Sequence, residues 1–112
     1  MMQYKINLSR SAQADINAIA DYIADNLQER QTALQLIRGI RTAIASLQTM
    51  PERYPVVRDA FLASMGIRMF PVNRYLVFYT VDHANTTVNV LNVKYGRREW
   101  IGLLSNEWNE NK

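Results

Sequence analysis

Apolar and polar positions change rhythm along this chain, and the changes mark its elements. Tyr4, Ile6 and Leu8 alternate with Gln3, Lys5 and Asn7, the period-two pattern of a half-buried strand. From Ser9 the period lengthens. Ala12, Ile16, Ile19, Ile23 and Leu27 fall three and four apart, so they form one helical stripe, widened by Ala20 and Tyr22. Asp21, Asp25 and Glu29 lie off that stripe and face water. Ser9 is placed to cap the helix, and Asp15, early in it, complements the helix dipole.

After a break around residues 26–30, a second stripe runs through Ala33, Ile37, Ile40, Ile44 and Leu47, with Leu34, Leu36 and Ala43 beside it. Gly39 inside this helix costs about 1 kcal/mol relative to alanine. A closely passing backbone would account for it, so Gly39 is expected to face the first helix. Pro51 ends the second helix near Met50. The pair reads as an antiparallel helical hairpin whose stripes are core. Residues 51–65 hold two prolines and no clear period, with Tyr54 and the Phe61-Leu62 pair expected to pin the segment to the body.

Three strands follow. Ile67 to Val72 is the first, and Pro71 near its end predicts an edge position. Tyr75 to Val81, continuously apolar or aromatic from Leu76 to Tyr79, predicts a central strand covered on both faces. Asp82-His83-Ala84-Asn85 makes a polar turn into Thr87 to Tyr95. Gly96 breaks this strand, and a short C-terminal helix carries Ile101, Leu103 and Leu104, with the last residues frayed. The reading is a single α+β domain over residues 1–112: N-terminal strand, helical hairpin, three-stranded antiparallel meander, short C-terminal helix.

Composition narrows the chemistry. A chain of 112 residues forms one domain without needing disulfides, and the absence of cysteine removes thiolate chemistry and fits a reducing, cytoplasmic setting. No apolar run is long enough to span a membrane. The net charge of +3 is unevenly spread: residues 66–98 hold five basic groups against one acid. Arg68, Arg74, Lys94, Arg97 and Arg98 therefore collect on the meander, as expected either for a surface that meets an acidic partner or for a solvated sheet face. His83, in a turn with no carboxylate or cysteine constellation beside it, reads as a solvated residue. The four glycines, at 39, 66, 96 and 102, form no phosphate loop. No metal, cofactor or small-molecule site is expected. What remains is arginine, lysine and tyrosine on a sheet. Such a set binds phosphates or acidic groups, and in close geometry it can also cleave RNA without metal.

The succession of YIADN closing the first helix, LQTMPERYP closing the second, GIRMFPVNRYLVFYTVD in the meander and VLNVKYGRR at its end resembles the RelE/ParE superfamily of toxins. These toxins belong to type II toxin–antitoxin modules and are often called plasmid stabilisation proteins. The likeness covers about residues 3–104 and rests on order and spacing, since each motif is short.

The resemblance implies a cytoplasmic toxin, neutralised by an antitoxin that is partly disordered when free and lies along the groove between sheet and helices. Homodimerisation is a further expectation. RelE-like members are ribosome-dependent ribonucleases that cut messenger RNA with basic residues and usually a tyrosine or histidine. ParE-like members are reported to inhibit DNA gyrase and lack that set.

In the RelE-type strand Arg-Leu-Val-Tyr, the arginine falls on Leu76. The tyrosine of the RelE-type C-terminal helix falls near Leu104, and Arg98 alone matches a RelE-type catalytic arginine. The resemblance therefore leans to the ParE-like branch, a binder rather than an enzyme, with Arg68, Arg74, Tyr79, Lys94, Arg97, Arg98 and Trp100 as expected partner-binding residues. In the ribonuclease alternative, Arg68, Arg74, Lys94, Arg98 and Tyr95 are the catalytic candidates. A third reading is an inactive member that retains antitoxin binding alone.

Overall fold

The computed structural model describes residues 3–26 and 30–96. Its elements are β1 (Lys5–Leu8), α1 (Arg10–Asn26), α2 (Arg30–Ala45), the short α3 (Ala60–Ser64), β2 (Arg68–Val72), β3 (Tyr75–Asp82) and β4 (Thr87–Tyr95). The mixed α+β order of strand, two helices and antiparallel strands is the one read from the pattern. The expected C-terminal helix lies outside the described residues.

The sheet runs β1-β4-β3-β2. β1 pairs with β4 in parallel, and the other two pairings are antiparallel. β3 is central, as its apolar run requires. Val77 and Tyr79 face the helices, where Ala12, Ile16, Ile40, Ile44, Leu47, Phe70 and Val90 complete the main core. Phe78 points the other way, into a smaller cluster with Val57, Leu62 and Ile67. Val57 and Leu62 thus carry the later part of the 51–65 segment over the sheet's second face, while Tyr54 packs against the main core. A bulge opposite Phe78 and Tyr79 shifts the register, so that Phe78 pairs with Asn92 and Tyr79 with Val90.

β2 is an edge strand, and its edge is blunted in two ways. The Val57 N–H donates to Ile67 O at 2.9 Å and the Met69 N–H to Pro55 O at 3.3 Å, while Pro71 has no N–H to offer. Asp82 and Asn85 close the β3–β4 turn. The Asn85 side chain and backbone N–H both donate to the Asp82 carboxylate, at 2.8 and 3.1 Å, which holds its pKa below the usual value. Thr86 follows with φ 51°, in the left-handed region that a β-branched residue seldom adopts.

Local differences from the pattern have physical causes. Tyr22 and Leu34, expected to widen the stripes, are exposed at 60% and 62%. Gly39 faces open space rather than the first helix, with no atom within 4 Å of the place a Cβ would occupy. Helix α2 stops at Ala45 and tightens into a 3-10 turn over Ser46–Gln48, short of Met50, and Arg53 collects carbonyls of this turn and of the residues after it. The guanidinium donates to Ser46 O at 3.2 Å, Thr49 O at 2.8 Å and Met50 O at 3.3 Å, and lies 4.9 Å from the Tyr54 ring centroid. In the Phe61-Leu62 pair only Leu62 is a pin, since Phe61 is 50% exposed.

Candidate functional site

Ser9 fixes where α1 meets the sheet. Its hydroxyl accepts from the Ala12 N–H at 2.9 Å, capping the helix, and donates to Leu91 O at 2.8 Å. The helix therefore leaves from the flank of β4. One turn later Asp15 reaches the part of β4 that extends beyond β1. Its carboxylate accepts from the Val93 N–H at 2.9 Å, from the Asn92 amide at 3.2 Å and from Lys94 Nζ at 3.2 Å. Asp15 is thus a strand-edge cap and an ion-pair partner as well as an early helical acid. Nothing in its sequence position announces that, because the contact spans most of the chain. Lys94 is held in this pair, with side-chain exposures of 22% for the lysine and 17% for the aspartate.

Arg68, at the start of β2, is committed elsewhere. It donates to Tyr54 O at 2.6 Å and to Glu52 O at 3.3 Å, and it pairs with the Glu52 carboxylate at 3.5 Å. The same carboxylate stands 3.4 Å from His83 Nε2, while the other ring nitrogen lies 3.0 Å from the Tyr4 hydroxyl. The turn histidine, read as having no carboxylate beside it, thus joins the N-terminal strand, the β3–β4 turn and the 51–65 segment. Folding brings Glu52 to it, so adjacency along the chain gives no hint.

By register, Arg68 sits opposite Tyr79 and Lys94 opposite Leu76, three positions away along β3 and on the alternate face. The structure therefore separates Arg68 from Lys94. Arg74, exposed in the β2–β3 turn, lies at the Lys94 end, where its carbonyl accepts from the Gly96 N–H at 2.9 Å. Tyr75 and Tyr95 meet edge to face there, with ring centroids 5.7 Å apart, and burial followed by the neighbouring Tyr95 and Tyr22 pushes the Tyr75 phenol up. Arg74, Lys94 and Tyr95 are brought to one end of the sheet, while Arg68 is held away from them.

Tyr79, expected to touch a partner, is fully buried. Its hydroxyl donates to Pro51 O at 2.6 Å, and its ring meets Phe70 edge to face. Burial pushes its phenol up to about 12, against the opposing pull of the Arg68 and Arg53 guanidiniums. At neutral pH it stays protonated and takes no proton. Leu76, where the RelE-type pattern has arginine, packs against the second apolar cluster beside Gly96. Arg97, Arg98 and Trp100 lie outside the described residues, as does Leu104. Among the described residues no cluster of His, Asp and Glu is arranged to hold a metal ion, and no helix is long and apolar enough to cross a membrane.

The molecule is thus a small α+β domain with a helical hairpin on a four-stranded sheet, in which Arg53, Arg68 and Lys94 are tied into the framework. The chain belongs to the ParE toxin family of type II toxin–antitoxin systems, whose family model matches residues 6–100. Among solved structures it is similar to a chain of a chromosomal ParDE system from P. aeruginosa, at 19% identity and a TM-score of 0.68, covering 83% of this chain and 96% of that one. The free-state E. coli toxin RelE, as a mutant, is similar at 12% identity and a TM-score of 0.66, covering 97% and 98%. The RelBE2 toxin–antitoxin complex from Mycobacterium tuberculosis also contains a similar chain, at 21% identity and a TM-score of 0.57, covering 85% and 93%. At these identities the likeness is one of fold. No curated protein sequence matches the chain.

Proposed function

We propose that this toxin arrests growth by binding DNA gyrase, as the ParE-like branch of its superfamily is reported to do, and that a cognate antitoxin protein neutralises it. The single observation that carries the reading is Leu76. The position that supplies an arginine in RelE-type sheets is here an aliphatic side chain packed against an apolar cluster. Losing one cationic transition-state contact costs about two to three orders of magnitude in rate. Two further features support a binder. Lys94 is paired with Asp15, and Tyr79 is buried and protonated.

The test runs two assays on one purified protein. In the first, gyrase supercoils relaxed plasmid with and without the toxin, and loss of supercoiling is expected. In the second, programmed ribosomes are probed for codon-specific message cleavage, and intact message is expected. Undisturbed supercoiling at excess toxin overturns the gyrase reading. Cleavage that disappears in Arg98→Ala assigns the ribonuclease alternative, with Arg68, Arg74, Lys94 and Tyr95 next to be substituted. If induction without antitoxin leaves growth unchanged, the chain is an inactive member that binds antitoxin alone.

A further inference from the structure

Two hydrogen-bond donors from separate elements converge on one oxygen where the start of β2, the β3–β4 turn and the beginning of the 51–65 segment meet. Arg68 Nη2 lies 3.5 Å from Glu52 Oε2, and His83 Nε2 lies 3.4 Å from that same atom. Both donors are set in place by other contacts. Arg68 Nη1 donates to the carbonyls of Tyr54 at 2.6 Å and Glu52 at 3.3 Å, which leaves Nη2 for the carboxylate. His83 Nδ1 lies 3.0 Å from the Tyr4 hydroxyl, while Nε2 faces a carboxylate, so Nε2 carries the hydrogen. Asp82, the residue before His83, is occupied by the Asn85 side chain and backbone N–H.

The carboxylate is the loose member of this group. Charge-assisted hydrogen bonds to carboxylates or phosphates close to about 2.7–2.9 Å, well inside the separations at Glu52 Oε2. The Glu52 side chain is 54% exposed, and its other oxygen has no partner among the described residues. An exposed pair of this kind adds little to stability. A carboxylate that spends one oxygen on two donors also uses them poorly. A phosphate group, with several acceptor oxygens set tetrahedrally, gives one to each.

We propose that Arg68 and His83 form a binding site for a phosphate group, and that Glu52 is the chain's own stand-in, displaced when a phosphate arrives. Arg68 supplies a permanent cation, and His83 offers an N–H in either protonation state. The Tyr4 hydroxyl fixes the ring, and Glu52 turns out into solvent. The site lies at the other end of β3 from Arg74 and Tyr95, and it needs neither gyrase nor an antitoxin. Two sources offer the chemistry, a free phosphate and a nucleic-acid backbone.

His83 is the only histidine in the chain, so its ring signals report on the site directly. Inorganic phosphate is titrated into the isotope-labelled full chain at fixed ionic strength, with chloride as the control anion. A saturable shift of the His83 ring resonances is expected with phosphate alone. Calorimetry then compares variants. His83→Gln and Arg68→Met are expected to weaken phosphate binding at least about tenfold, and Glu52→Gln to tighten it at least about threefold by removing the competitor. Asp25→Asn, on α1, removes the same charge elsewhere and is expected to leave the affinity unchanged. His83 and Glu52 are exposed, so their variants are expected to keep the fold by circular dichroism, and they decide the matter if Arg68→Met does not fold.

The second ligand is a DNA duplex of about 12 base pairs, a little over one helical turn. A tighter duplex that competes with phosphate for the same His83 shift supports the site and assigns a nucleic-acid backbone to it. A shift with phosphate alone supports the site and assigns a free anion. An unmoved His83 signal at millimolar phosphate overturns the proposal. Glu52→Gln binding phosphate no tighter than the wild type, or no tighter than Asp25→Asn, overturns it equally and leaves Glu52 as a surface ion pair.

Discussion

Replacing Asp15 by alanine should destabilise the fold more than any other single change to a charged residue described above. The carboxylate serves three donors, from Val93, Asn92 and Lys94. Each hydrogen bond to a charged group contributes about 1.5–3 kcal/mol, and the three are not additive because they share one acceptor. Water offsets part of the loss, since Asp15 and Lys94 retain 17% and 22% side-chain exposure. Water has less access to Asn92, which is fully buried. A net cost of about 2–4 kcal/mol follows, a large share of the stability of a small domain. Asp15→Asn keeps the volume and one acceptor and should cost about half as much.

Urea unfolding followed by circular dichroism measures this, with the slope expected to stay constant so that the midpoint shift reads stability directly. A double-mutant cycle with Lys94→Met isolates the ion pair, for which about 1 kcal/mol of coupling is expected. An Asp15→Ala cost below about 0.5 kcal/mol at unchanged slope would refute the reasoning, and α1 would then be held to β4 by the Ser9 hydrogen bonds and apolar contact.

Other outcomes follow from the same geometry. Because burial raises the Tyr79 phenol to about 12 from its ordinary value near 10, the folded state favours the protonated form. Stability should be complete below about pH 10 and decline as pH rises through 12, and Tyr79→Phe should remove that decline while costing about 1 kcal/mol at neutral pH. Gly39→Ala should stabilise by about 0.5–1 kcal/mol, since the position is helical and open; a destabilised protein would mean a neighbour does approach it. Thr86→Asn should gain about 0.5 kcal/mol by relieving a β-branched residue at φ 51°, read as a raised melting temperature.

The elements were legible because their periods were clean. Pro71 placed β2 at an edge, and the apolar run from Leu76 to Tyr79 placed β3 at the centre, since each feature leaves few alternatives. The roles of individual polar side chains were not legible. Asp15 sits where any helix-favouring acid would sit, and only the pairing of β1 with β4 brings it to Val93. Glu52 finds His83 in the same way, across the chain. Charge counting directed attention to the meander, yet counting cannot tell a cation with a partner from one without. Arg68 and Lys94 are held by carboxylates, while Arg38 and Arg41, on a helix that its apolar spacing had marked as core, have no ion-pair partner among the described residues. The end of α2 lies short of Met50 because a proline limits how far a helix can run without fixing where it stops, and a 3-10 turn fills Ser46–Gln48 between them.

Joining the first strand to the last has a cost in time. Lys5 to Leu8 lie alongside Thr87 to Val90, so about eighty residues must be gathered before that ladder can close. Until it does, α1 lacks the flank of β4 on which Ser9 and Asp15 anchor it. Maturation of this protein should therefore be slow for its size, with a late step at which both helices gain their support together.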